Sequence, residues 1–160
     1  MSDLYGIQEE FENVNAEFNQ YMEYYMQLLR MDSRGKVLIV EDDFVSAKML
    51  ERAVHEFSPY IKCLRSTSAE EALKIARRTP IDAVIADYFL EGHDTGLDLC
   101  NNIQMEFPKT KCMIVSNLKF FQYQEIAQYS KAPPDFAEKP VPPKSIKNYL
   151  LAVYGGNHAN

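Results

Sequence analysis

No apolar run in these 160 residues is long enough to cross a bilayer; Val37–Val40 and Ala83–Ala86 are typical. The Met-Ser-Asp opening carries no basic region followed by an apolar core, so no secretory leader is expected. Cysteine is scarce: Cys63, Cys100 and Cys112 are odd in number and lack C-x-x-C spacing, as expected of buried thiols in a reducing cytosol. Bases are outnumbered, 17 against 23 acids, and a net charge of −6 leaves no global field to gather nucleic acid or anionic lipid. A secreted, membrane-spanning, disulfide-framed or zinc-finger protein is thereby disfavoured. The expectation is a cytoplasmic protein that engages neither nucleic acid nor membrane. With 46% hydrophobic and 25% charged residues, the chain suits one packed domain with a short appendage.

The acidity is concentrated near the N-terminus. Residues 1–34 hold seven acids and two bases, against sixteen and fifteen in residues 35–160. The first segment has one glycine, Gly6, and no proline. Leu4, Ile7, Phe11, Val14, Phe18, Tyr21, Tyr25 and Leu28 follow alternating steps of three and four, a heptad seam over four repeats. Met22, Tyr24, Leu29 and Met31 widen the stripe, and Arg34-Gly35 reads as stop and hinge. A long amphipathic helix over 1–34 is expected, serving as a packing or oligomerisation arm. Its seam has three possible partners: the following domain, a second copy in a homodimer, or an outside helix. With aromatics in the seam and no complementary flanking charges, dimer, trimer and antiparallel arrangements stay open.

From Lys36 the pattern alternates between short β-branched runs and helical spacing. Strands are predicted at 36–40, 61–65, 81–86, 112–115 and 135–138, with helices at 44–57, 68–78, 96–107, 120–129 and 144–154. Ser68 and Glu71 form a capping-box pattern, Pro59, Pro80 and Pro108 break helices, and Gly155-Gly156 ends the last one. Five β-then-α units predict a parallel sheet with helices on both faces. Residues 35–155 thus form the main domain, and 156–160 a disordered tail.

In such a sheet, ligands bind beyond the carboxyl ends of the strands. Glu41-Asp42-Asp43 follow strand one, Asp87 strand three, Ser116-Asn117 strand four and Lys139-Pro140 strand five. Carboxylates, a hydroxyl and an ammonium therefore converge on one rim. Clustered carboxylates suit a hard divalent cation such as Mg²⁺. An Asp beside that cation, with a lysine and a hydroxyl, makes an oxygen nucleophile facing a phosphoryl group.

Residues 36–154 resemble the receiver domain of bacterial two-component response regulators of the stand-alone, chemotaxis-regulator kind. The resemblance rests on Val-Leu-Ile-Val-Glu-Asp-Asp (37–43), Ala-Val-Ile-Ala-Asp (83–87), Ile-Val-Ser (114–116) and Phe-Ala-Glu-Lys-Pro (136–140), in order and spacing. It implies an α/β fold, a five-stranded parallel doubly wound sheet of flavodoxin type, here preceded by the long N-terminal helix. It implies Asp87 as phosphoacceptor, Glu41 and Asp42 as the acidic pair with Asp42 a direct Mg²⁺ ligand, and the main-chain carbonyl of Phe89 completing the protein's metal ligands. Ser116 corresponds to the switch hydroxyl, Lys139 to the lysine that pairs with the phosphoryl group and Phe136 to the aromatic that changes rotamer. Pro140 corresponds to the residue that follows the lysine through a cis bond. The phosphodonor is then a histidine kinase or phosphotransfer protein, and the downstream target a protein met through the helix 4–strand 5–helix 5 face or the N-terminal helix. The role is then expected to be regulatory, with no DNA-binding or enzymatic output domain expected after residue 154.

Other residues have blander readings. Asp43 reads as a charge at a helix N-terminus, Glu91, His93 and Asp94 as solvated loop, and the methionines and aromatics after Lys36 as mostly core. His55 and His158 carry no signal. Asn117, Glu91, Pro133-Pro134 and one extra residue before Gly96 depart from the family pattern. Phe89 and Leu118 occupy positions that tune acyl-phosphate lifetime in the family, and their apolar character predicts a long-lived phosphorylated state. One rival is a phosphorylation-independent oligomeric scaffold or adaptor. A phosphatase using an aspartyl nucleophile is disfavoured because Phe89 stands where its acid/base Asp belongs.

Overall fold

A computed structural model describes residues 12–25 and 35–155. They fall in separate compact units, divided between Asp32 and Ser33. The first is a helix over 12–25. Val14, Phe18, Tyr21 and Tyr25 of the seam lie exposed on it, and the rings of Tyr21 and Tyr25 stack with centroids 6.4 Å apart. The other seam positions, Arg34 and the 156–160 tail lie outside the described residues.

The second unit alternates strand and helix five times: β1 (Lys36–Val40), α1 (Phe44–Phe57), β2 (Lys62–Ser66), α2 (Ala69–Arg78), β3 (Ala83–Asp87), α3 (Gly96–Glu106), β4 (Lys111–Ser116), α4 (Phe120–Ala127), β5 (Asp135–Glu138) and α5 (Pro143–Gly155). All strands are parallel in one sheet of order β2-β1-β3-β4-β5, the doubly wound flavodoxin-like arrangement. β1 and β3 are buried nearly throughout, which accounts for their unbroken apolar runs, whereas the edge strands β2 and β5 mix buried and open positions. Leu38, Val40, Val84, Ala86, Cys112 and Ile114 pack with α2, α3 and α4 on one face. Val37, Ile39 and Ile85 alternate to the other, where α1 and α5 lie together.

Element ends depart from the sequence reading by one or two residues. β3 begins at Ala83 and runs on to Asp87, because Asp87 still pairs with Val115 of β4. β2 runs 62–66, its register set by β1, and α4 stops at Ala127. Ser68 caps α2 by accepting from the Glu71 amide at 3.2 Å. Glu71 does not close the capping box; its carboxylate accepts instead from the Ser66 hydroxyl at 3.0 Å. A complete box sits at α3, where Thr95 and Asp98 exchange both bonds.

The aromatic and methionine residues of this unit are not mostly core. Phe44, Met49, Tyr60, Phe89, Met105, Phe120, Phe121 and Tyr129 are exposed, while Met113, Tyr123 and Tyr149 are buried. The interior of a parallel sheet is filled by Val, Ile, Leu and Ala from the strands and facing helices, which leaves large rings at the periphery. Cys100 and Cys112 are buried, but Cys63 on the edge strand is only half-buried.

Candidate functional site

β1 and β3 are neighbours, yet the chain visits β2 on the far side of β1 between them. Where the winding reverses, the loops leaving the two strands diverge and a crevice opens. Glu41 follows β1 into this crevice, buried, its amide donating to the Ser66 carbonyl at 3.0 Å. Asp42 is exposed beside it. Asp87 ends β3, buried. One carboxylate oxygen from each of Glu41, Asp42 and Asp87 lies within 4.8 Å of the other two.

Lys139 reaches the same point from the far side of the sheet. Its amide donates to the Ser116 carbonyl at 2.7 Å, extending the β4–β5 ladder, and its peptide with Pro140 is cis. Its ammonium donates to Asp87 Oδ2 at 2.7 Å and to Glu41 Oε2 at 2.7 Å. The remaining oxygens are also held: Glu41 Oε1 accepts from the Asp43 amide at 3.1 Å and Asp87 Oδ1 from the Phe89 amide at 3.2 Å.

The charges do not balance. Burial pushes the Glu41 carboxyl above its ordinary value, although its bond from Lys139 pulls the other way. Burial alone would lower the Lys139 amine; its bonds to Asp87 and Glu41 outweigh that and raise it. Three acids around one ammonium leave an excess of negative charge in a partly dry crevice. Compact, all-oxygen and of excess negative charge, the donor set fits a hard divalent cation.

Asp43 stands outside this trio. It caps α1, its carboxylate accepting from the Ser46 amide at 2.7 Å, and that bond holds its carboxyl below the usual range. Ser116 is buried at the end of β4, its hydroxyl accepting from the Leu118 amide at 3.2 Å. The half-buried Phe136 ring stacks on Tyr123 with centroids 4.4 Å apart and planes 9° apart, and Phe120 flanks it at 6.1 Å. Glu91, His93 and Asp94 are exposed and lie outside the acidic trio, but the Glu91 main chain bridges Ser68 at the start of α2. From the acid rim a groove of about 840 Å³ opens between α1 and the start of α5, with Asn117 on its edge and Met49, Leu50 and Ile146 among its apolar walls.

Two residues that position the site escaped the sequence reading. Gly96 opens α3 directly against the main chain of Asp87, too close for a Cβ, and its amide donates to the Tyr88 carbonyl at 2.9 Å. Glu138, next to Lys139, accepts from the Phe120 amide at 3.0 Å and the Lys119 ammonium at 3.1 Å, so β5 caps α4. An isolated glycine after a loop was the only sequence signal of the first; the second carried none, because its partners lie 18 and 19 positions earlier.

Among the described residues, no helix is long and apolar enough to cross a membrane. The sequence model of a family described as response regulator receiver domain matches residues 37–151. No curated protein matches the chain. Similar solved structures include the signal receiver domain of an HD domain-containing protein from Pseudomonas fluorescens Pf-5, with 17% identity, TM-score 0.68, and 79% of this chain and 99% of that one covered. The chemotaxis protein CheY4 of Vibrio cholerae is similar at 19% identity and TM-score 0.64, over 74% and 98% of the two chains. The receiver domain of the Francisella response regulator 1452 is similar at 20% identity and TM-score 0.64, over 76% and 97%. At these identities the likeness shows the fold.

Proposed function

Because the chain belongs to the response regulator receiver domain family, we propose that it is a phosphorylation-controlled switch of a two-component system, with Asp87 accepting a phosphoryl group from a histidine kinase or phosphotransfer protein. The observation that carries this reading is the double contact of the Lys139 ammonium, 2.7 Å from Asp87 and 2.7 Å from Glu41.

The chemistry follows from what each residue offers. An Asp87 carboxylate oxygen attacks phosphorus; the new O–P bond forms as the P–N bond to the donor histidine breaks, and the ring nitrogen keeps the electron pair. Lys139 places its positive charge beside the arriving phosphoryl oxygens, and the Ser116 hydroxyl turns from the Leu118 amide to donate to one of them. Glu41, Asp42, Asp87 and the Phe89 carbonyl would hold Mg²⁺, which when bound neutralises charge on the phosphoryl oxygens. The added group carries roughly −1.5 to −2 charges. Ser116 movement vacates space beside β5, Phe136 changes rotamer, and the α4–β5–α5 face is remodelled for a protein target. The role is that of a regulatory phosphoacceptor in the cytoplasm, and the N-terminal helix is an arm through which two copies associate as a homodimer.

Incubation with Mg²⁺ and a small acyl-phosphate donor tests the reading. The intact mass should rise by one phosphoryl group, and Asp87→Asn should abolish the gain. An unchanged mass with donor and Mg²⁺ in excess would contradict it.

A further inference from the structure

The helix over 12–25 shows a continuous apolar line to its surroundings: Val14 is 60% exposed, Phe18 59%, Tyr21 63% and Tyr25 47%. Placed on the heptad, Phe18 and Tyr25 occupy a positions, Val14 and Tyr21 d positions. The steps of the whole seam, Leu4 to Leu28, keep that register through four repeats. A strict seven-residue repeat matches a supercoiled partner helix, because a straight helix drifts away from such a line.

No complementary charges flank the seam, but the like charges that do flank it weigh against one orientation of a second copy. The g positions are Asp3, Glu10, Glu17 and Tyr24; the e positions are Gln8, Asn15, Met22 and Leu29. Every flanking charge lies on g and none on e. In a parallel in-register pair, g of one chain meets e of the next heptad on the other. The meetings are then Asp3 with Gln8, Glu10 with Asn15, Glu17 with Met22 and Tyr24 with Leu29: acid with amide at one end, apolar with apolar at the other. No like charges face each other. In an antiparallel pair g meets g, and the central Glu17 of each copy would stand against the other. The other acids between Leu4 and Leu28, Glu9, Glu12 and Glu23, fall on outer b and f positions, where their repulsion is solvated.

We propose that the N-terminal helix pairs with the same helix of a second copy, parallel and in register, so that both chains leave the pair at the same end. This rests on the homodimer reading above and adds its orientation. The geometry delivers two phosphoacceptor domains side by side to a target, so that a two-fold symmetric partner meets both at once.

Light scattering and disulfide trapping on the full chain test it together. The mass should be that of two copies. Val14→Cys and, separately, Tyr21→Cys place a thiol at a d position, where two parallel in-register chains bring equivalent residues face to face. Both variants should cross-link into a covalent dimer with oxidised glutathione, while the unsubstituted chain, with its own three cysteines, stays uncrosslinked under the same conditions. A mass of one copy overturns the homodimer and the orientation with it. A mass of three copies also overturns the proposal. A mass of two copies with neither variant cross-linking leaves a dimer and overturns the parallel arrangement.

Discussion

Gly96 meets the main-chain oxygen of Asp87 with no room for a Cβ between them. The start of α3 thereby braces the strand end that carries the Asp87 carboxylate, the proposed phosphoacceptor. Gly96→Ala must push α3 off β3 or shift Asp87, at a cost of about 1–3 kcal/mol in folding stability. Chemical denaturation should show that loss, and phosphoryl incorporation should fall further than the loss of folded protein explains.

The Lys139 ammonium bridges the Glu41 and Asp87 carboxylates and so competes with a cation for them. Lys139→Met should destabilise the protein without divalent ions by about 1–3 kcal/mol, because Glu41 and Asp87 lose their partner. The same variant should bind Mg²⁺ more tightly than the unsubstituted chain, since a fixed positive charge has left the site, yet take up no phosphoryl group. Calorimetric titration with Mg²⁺ checks the first half and intact mass the second. Weaker Mg²⁺ binding by the variant would contradict the proposed competition.

Acidity acts on this site through Glu41. Its carboxyl sits above the ordinary glutamate value of 4.5 because it is buried. The folded state therefore holds this proton to higher pH than the unfolded chain does, and the desolvation penalty of the ionised form is relieved as pH falls through the raised value. Protons should accordingly compete with Mg²⁺ at a pH above the usual glutamate range. Titrations from neutral to mildly acidic pH should show affinity falling early, and Glu41→Gln should flatten that early fall while weakening binding throughout.

Glu138 links the site to α4. Its bond from the Phe120 amide, with the Lys119 ammonium second, holds its carboxyl below the ordinary value. The stabilisation is present above the unfolded value and is lost as pH drops through the lowered one. Hydrogen exchange should report faster opening of the first turn of α4 in Glu138→Gln at neutral pH. The unsubstituted protein should approach that rate only in acid.

The lifetime of the phosphorylated state should depend on Phe89 and Leu118. Phe89 is exposed beside Asp87, its ring meeting Tyr88 edge-on at 4.9 Å, and offers nothing to align a hydrolytic water. Phe89→Glu adds such a group and should speed dephosphorylation about tenfold, equivalent to ~1.4 kcal/mol of barrier. Equal decay in the two proteins would remove the explanation.

Most of the sheet was legible because burial on both faces writes itself into composition: the apolar runs Val37–Val40 and Ala83–Ala86 read as strands, and they are buried strands in the interior of the sheet. The rim was legible for a related reason. Polar residues at the exits of several strands have few structural roles in common, so Glu41, Asp42, Asp87 and Lys139 could be expected together, and they are together. What stayed hidden depends on contacts between distant segments. The Glu138 bond to Phe120, the Glu91–Ser68 bridge and the fit of Gly96 against Asp87 each need the fold before the pairing has meaning. The peripheral aromatics misled for the opposite reason: hydrophobicity alone marks Phe44 or Phe121 as core, and only the filled interior shows that no place is left for them.

Borohydride reduction of the phosphorylated protein, followed by peptide mapping, locates the acyl phosphate by converting its aspartate to homoserine. Homoserine should appear at position 87, only after treatment with phosphodonor and Mg²⁺, and not in Lys139→Met. Homoserine at Asp42 or Asp43, or none at all in protein that has gained the phosphoryl mass, would contradict the assignment of Asp87.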